Sequence, residues 1–225
     1  MLPAFAHISL STGYILAGLF SCEPSTAPAI TVQFQNNPPQ ISNTRSSTYL
    51  LNLKKDSSSP NYGREFPNLD GLTSGVFQFK FDLDFTNTEQ MMLHTACVQT
   101  KAVSVVITYT PTVYISSSAA PGSCRYAATM EHEMRHVSTD IDTINEFIPR
   151  IKTLAKAALA STAHPKPINE NEEESAQNDV SEQLSQVLEE ETNAIQKARK
   201  SRQALVDTRA EYERLSRACP NEQPR

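Results

Sequence analysis

Between Phe77 and Phe85 apolar and polar positions alternate without interruption, so Phe77, Phe79, Phe81, Leu83 and Phe85 share one face and Gln78, Lys80, Asp82 and Asp84 the other. A period of two predicts a half-buried strand. A second strand is predicted from Ala102 to Tyr109, where Val103, Val105, Ile107 and Tyr109 share a face; Pro111 stops it, and Thr112–Ile115 continues it briefly. Shorter strands are predicted at Ile30–Phe34 and Ser47–Leu53, separated by Pro38-Pro39, and the serine-rich stretch 54–63 is a loop. Four or five such strands predict an antiparallel sheet with one face packed and one wet.

From Arg125 onward the period becomes helical. Met130, Val137, Ile141, Ile144, Ile148 and Ile151 recur at steps of three and four, predicting one long helix with a buried stripe and a kink at Pro149. The prolines of His164-Pro165-Lys166-Pro167 predict a turn, and Asn171 with Glu174 predicts the capped start of a return helix. Val180, Leu184, Val187, Ala194, Ala198 and Leu205 give that helix a narrow apolar stripe, extended by Tyr212 and Leu215. The expected fold is therefore α+β, a small antiparallel sheet packed on a long helical hairpin.

The 225 residues suffice for one packed domain with an extension. A net charge of -5 and the absence of a basic cluster argue against a nucleic-acid partner. The apolar run Ile8–Phe20, ending in Leu19-Phe20-Ser21-Cys22, resembles the lipobox of a bacterial lipoprotein signal, although Met1–Ser9 lacks Lys and Arg and Phe20 is bulky for its position. It predicts a signal over residues 1–21 and a lipid anchor on Cys22, with a simple cleaved signal or an uncleaved anchor as alternatives. All three place the chain outside the cytoplasm, as a bacterial envelope or secreted protein. A proline-bearing tether follows over 22–29, then the sheet and first long helix over 30–165, and the return helix over 166–225 completes the same domain. With Cys22 lipidated, an oxidising compartment most simply pairs Cys97 with Cys124, although Cys219 can replace either.

Candidate chemistry lies inside the first long helix, at His132-Glu133-Met134-Arg135-His136. Histidines four residues apart on a helix sit about 40° apart around the axis and about 6 Å apart along it, so both can reach one ion. Glu133 then flanks the metal as the general base that takes a proton from a zinc-activated water and passes it to the leaving amine. A catalytic zinc takes a third protein ligand. Asp140 lies too far along the helix and is expected to support the site only indirectly. An antiparallel return brings roughly residues 199–208 opposite the histidines, and Asp207 and Glu211 are the carboxylates nearest that window. Glu211 borders the apolar stripe and is the expected third ligand, with Asp207 as the alternative. Tyr109 or Tyr114 is a candidate oxyanion donor.

These features resemble the zincin metallopeptidases whose third ligand is a glutamate on a later helix. More narrowly, Gly122-Ser123-Cys124-Arg125-Tyr126 leading into His132-Glu133-x-x-His136, with Cys97 upstream, resembles bacterial secreted proteins described as predicted zinc-dependent proteases, over residues 70–218. Asp142 stands where the metzincins place a third ligand, with Thr139 in the position of their glycine. The resemblance implies a zinc-dependent peptidase of the cell envelope acting on a protein or peptide substrate. The rivals are a non-catalytic envelope lipoprotein that binds a partner through its hairpin, with a structural or vestigial metal site, and an enzyme acting on peptidoglycan cross-links. Substrate and oligomeric state stay open.

Overall fold

A computed structural model describes residues 22, 27–54, 69–161 and 166–222. The signal stretch 1–21, most of the tether and the Pro165 end of the interhelical turn lie outside them. The elements run β1 (Ala29–Asn36), β2 (Gln40–Arg45), α1 (Ser47–Lys54), β3 (Gly71–Gln90), β4 (Thr95–Ser116), α2 (Cys124–Ser161), β5 (Ile168–Asn169), a 3-10 turn (Glu170–Glu172), α3 (Glu173–Val206) and α4 (Arg209–Arg217).

β4 is the spine of the sheet. Along one edge it pairs antiparallel with β3 over nearly its whole length, Phe77 beside Tyr109 and Phe81 beside Val105. Along the other edge it pairs in turn with β5, antiparallel, and with β1 and β2, both parallel. The sheet is thus mixed, with two of its four pairings parallel, and the expectation of an antiparallel sheet is corrected. The reason lies at Pro38-Pro39. That pair interrupts hydrogen bonding without reversing the chain, so β1 and β2 follow one edge in one direction, Asn36 beside Tyr109 and Gln40 beside Thr112. Pro111 sits opposite this break. The Tyr109 carbonyl accepts from Asn37 N at 3.0 Å, so the backbone of residue 111, two positions on, faces the same edge and its missing N–H costs no ladder bond. β4 therefore continues through the proline that was expected to end it.

Ser47–Leu53 is helix, not strand. Ser46 Oγ accepts from Tyr49 N at 3.2 Å, capping a turn that puts Leu50 fully into the core. The return segment begins differently from expectation as well: Asn169 and Glu172 form a capping box on the 3-10 turn that leads into α3, two residues before the predicted Asn171–Glu174 pair.

The core lies between one face of the sheet and the α2–α3 hairpin. Val103, Val105, Ile107, Tyr109, Val113 and Ile115 meet Val137, Ile144, Ile151, Leu184 and Ile195 there. α2 runs unbroken across Pro149. The antiparallel register follows from side-chain pairs: Glu191 with Arg150 at 2.9 Å, Arg199 with Asp140 at 2.6 Å and Gln203 with the His136 carbonyl at 3.0 Å.

Two disulfides fasten this frame, and neither is the expected Cys97–Cys124 pair. Cys22 joins Cys97, and Cys124 joins Cys219. The Cys22 sulfur is therefore occupied by Cys97 and cannot also carry a thioether lipid, so the expected anchor is corrected. The Cys124–Cys219 bond closes a separation of 95 residues; in the chain-entropy picture a loop of that size is worth roughly 4–5 kcal/mol. It also ties the far side of α4 to the start of α2. Glu222 completes the join by accepting from the N–H groups of Cys124 and Arg125 at 2.8 and 2.9 Å, where the N-terminus of α2 favours a carboxylate. Two disulfides among the described residues indicate an oxidising location, extracellular or periplasmic. No helix among those residues is long and apolar enough to cross a membrane.

Candidate metal centre

α2 presents His132, Glu133 and His136 toward the interior, all buried. The hairpin brings the end of α3 against them. Val206 is the last residue of α3; Asp207 leaves the helix with ψ at 56°, and Thr208 caps α4 by accepting from Glu211 N at 3.2 Å. This break turns Asp207 inward, to 4% exposure. Its Oδ1 lies 3.2 Å from His132 Nε2 and 3.1 Å from His136 Nε2, and the two Nε2 atoms are 3.2 Å apart. Ligand atoms set tetrahedrally about 2.0–2.1 Å from a zinc ion would be about 3.3–3.4 Å from one another. The triangle fits one such ion closely. His132, His136 and Asp207 can therefore hold a metal ion.

The outer nitrogens of both rings fix the inner ones. His132 Nδ1 lies 3.1 Å from Glu211 Oε1, which as a carboxylate oxygen only accepts, so Nδ1 carries the hydrogen; a longer contact at 3.3 Å to the Arg135 guanidinium does not change that. His136 Nδ1 faces Gln203 Oε1. The orientation of that amide is set by its other end, because Gln203 Nε2 donates to the His136 carbonyl at 3.0 Å and to Asp140 Oδ1 at 2.6 Å. With both Nδ1 atoms donating, a neutral imidazole turns its Nε2 lone pair to the shared centre, the arrangement that metal-binding histidines require.

Glu211, the expected third ligand, is not at the centre. Its carboxylate holds the back of His132 and is itself held by Arg135 and by Arg214 at 2.8 and 2.9 Å. Burial opposes its charge, but hydrogen bonds from the two guanidiniums outweigh that and bring its pKa down to about 2. The carboxylate that converges is the alternative, Asp207. Asp142 is exposed on α2 and takes no part. Asp140 acts only through others, as expected: it accepts from Gln203, from Tyr109 Oη at 2.7 Å and from Arg199 at 2.8 and 2.6 Å. Tyr109 is committed to that contact and fully buried, so it is not the oxyanion donor. Tyr114 alternates with the buried face of β4 and lies on the opposite side of the sheet from the hairpin.

Glu133 approaches from the side of β3. Thr73 Oγ1 donates to Glu133 Oε2 at 2.8 Å and also reaches the Glu133 carbonyl at 3.1 Å. Gly71 makes this approach possible, since a Cβ there would lie 2.4 Å from Glu133 Oε1. Burial raises the pKa of Glu133, opposed by the charges of His136 and His132 and by the Thr73 hydrogen bond. Burial alone would lower His136, yet the Asp207 hydrogen bond and the Glu133 and Asp207 charges carry it up to about 9 in the metal-free protein. A proton thus holds the place that a cation would take.

Sequence reasoning missed Gln203, Thr73 and Arg135, and also Lys54 at the end of α1. Lys54 Nζ donates to Tyr212 Oη at 2.7 Å, and Tyr212 Oη lies 3.4 Å from Asp207 Oδ1. Gln203 fell inside the window predicted to face the histidines. Nothing in the sequence pointed to Lys54. Comparison of the chain with protein families, with curated proteins and with solved structures finds no match.

Proposed function

We propose that the chain is a zinc-dependent peptidase of an oxidising compartment, with His132, His136 and Asp207 as metal ligands and Glu133 as general base. The observation that carries this reading is the convergence of two tautomer-fixed Nε2 atoms and one carboxylate oxygen at spacings of 3.1–3.2 Å, with a second carboxylate, Glu133, buried beside them. Two histidines and one carboxylate are the ligand count of a catalytic zinc site, which keeps a position for water or substrate. A bound zinc ion would supply Lewis acidity and make water a nucleophile near neutral pH. The remaining work falls to the chain. Glu133, whose basicity is raised by burial, takes the proton from the attacking water and returns it to the leaving amine. Thr73 holds one oxygen of that carboxylate and so sets the direction of the other.

The test separates base from ligand. Glu133→Gln retains zinc and fold and loses peptide hydrolysis by roughly three orders of magnitude or more, the scale of general-base catalysis. Loss of zinc from that variant would show Glu133 to be a ligand and end the assignment. A second reading, a structural zinc in a non-catalytic protein, is favoured by the burial of all three ligands, at 4–7% exposure. It becomes the better account if the zinc-loaded wild type cleaves nothing across a broad peptide library.

A further inference from the structure

α1 ends at the metal centre, and its last residue is a cation. Lys54 is half-buried, and among the described residues its ammonium is paired with no carboxylate. It rests instead on Tyr212, donating to Oη at 2.7 Å and standing 5.1 Å from the ring centroid. That ring is 6.3 Å from the His132 ring, and its hydroxyl is 3.4 Å from the ligand atom of Asp207. A cation linked through one hydroxyl to the ligand atom of Asp207 does not assist a second cation to bind there, since like charges repel. It assists an anion. The desolvation of a lysine that lacks a carboxylate partner is a cost which an incoming oxygen anion offsets. Burial pulls the Lys54 ammonium below the ordinary lysine range, opposed by the charges of Asp207 and Glu133, as expected for a cation still short of a contact partner.

We propose that Lys54 and Tyr212 form the anion-receiving wall of the site, where a negatively charged oxygen of the bound molecule, a carboxylate or a carbonyl oxygen gaining charge during attack, accepts from Lys54 Nζ and Tyr212 Oη. This rests on the metal reading above and adds a polarity to it. Tyr212 switches its hydroxyl from Asp207, a long contact at 3.4 Å, to the incoming oxygen. The pair takes the role that Tyr109 and Tyr114 do not fill.

The experiment uses the full chain loaded with cobalt(II) in place of zinc and acetate as the probe, with binding read from the visible absorption of the metal. Acetate is expected to perturb the wild-type spectrum saturably. Lys54→Met should keep one cobalt and weaken acetate about tenfold or more, Tyr212→Phe should weaken it by a smaller factor, and Lys54→Arg should restore most of the affinity, because charge-assisted contacts carry it. Unchanged acetate affinity in both Lys54→Met and Tyr212→Phe overturns the proposal, as does a cobalt-loaded wild type that ignores acetate. Neither result touches the metal site. A wild type that takes up no cobalt removes the metal reading itself, and this inference with it.

Discussion

α2 and α3 enclose two buried polar clusters less than two helical turns apart, and their difference separates structure from site. Around Asp140 every oxygen is answered. Tyr109, Gln203 and both arms of Arg199 donate to it, Arg199 also reaches the Gly75 carbonyl at 3.1 Å, and its guanidinium lies 5.2 Å from the Phe77 ring. Around Asp207 two nitrogens and one oxygen face one another, and each nitrogen's ring is backed by a group that fixes its orientation. The first cluster is complete within the protein. The second is complete only with a proton or a cation at its centre. Burial and charge are alike in both, so neither property marks the functional one; the direction of the lone pairs does.

The largest test of this contrast removes the donor from the closed cluster. Arg199→Met leaves Asp140 as a buried charge with neutral donors only, and should cost about 3–5 kcal/mol in urea unfolding. Zinc per folded molecule should not change. Loss of zinc at full occupancy of the fold would mean that the two clusters are one unit coupled through Gln203.

Next in size is Asp207→Ala, which removes a converging ligand and should weaken zinc more than 100-fold in chelator competition, beyond the range of groups that only orient a ligand. Glu211→Ala should weaken it about 10–100-fold, because Glu211 orients His132 without reaching the centre. Equal losses in the two variants would erase the distinction drawn between them.

That distinction was partly legible. Thr208-Arg209-Ala210-Glu211 is a Ser/Thr-x-x-Glu signature of a helix start, and reading it would have broken the return helix at Asp207 and turned that residue inward. Treating the run as one continuous helix put Asp207 on the solvent side and Glu211 at the metal. The strict alternation of Phe77–Phe85 and Val103–Tyr109 did disclose which faces are buried, because a period of two survives any strand order. It says nothing of direction, so parallel β1 and β2 went unseen. Disulfide connectivity was beyond reach for a similar reason: four cysteines permit three complete pairings, and only the fold brings Cys219 to Cys124. Lys54 follows a stretch of Thr, Tyr and Leu with high strand propensity, and tertiary packing of Leu50 decided for helix there.

The smallest effect expected is one of pH, and it distinguishes the clusters without mutation. His136 is held up to about 9 in the metal-free protein, above the 6.5 of a free histidine. A raised folded pKa contributes stability that is fully present below pH 6.5 and lost as pH rises through 9. Glu133, also raised, acts in the same direction. Tyr109 and Arg199, in the Asp140 cluster, add nothing in this window, because both are shifted upward from ordinary values that already lie above it. The melting temperature of metal-free protein should therefore fall between pH 6.5 and 9, and the fall should shrink in Asp207→Asn, which removes the charge that holds the proton. Zinc displaces that same proton, so the zinc-loaded protein should escape the fall and the gap between the two forms should widen with pH. A metal-free melting temperature that is flat across the window would place the titrating proton elsewhere and leave His136 neutral before any cation arrives.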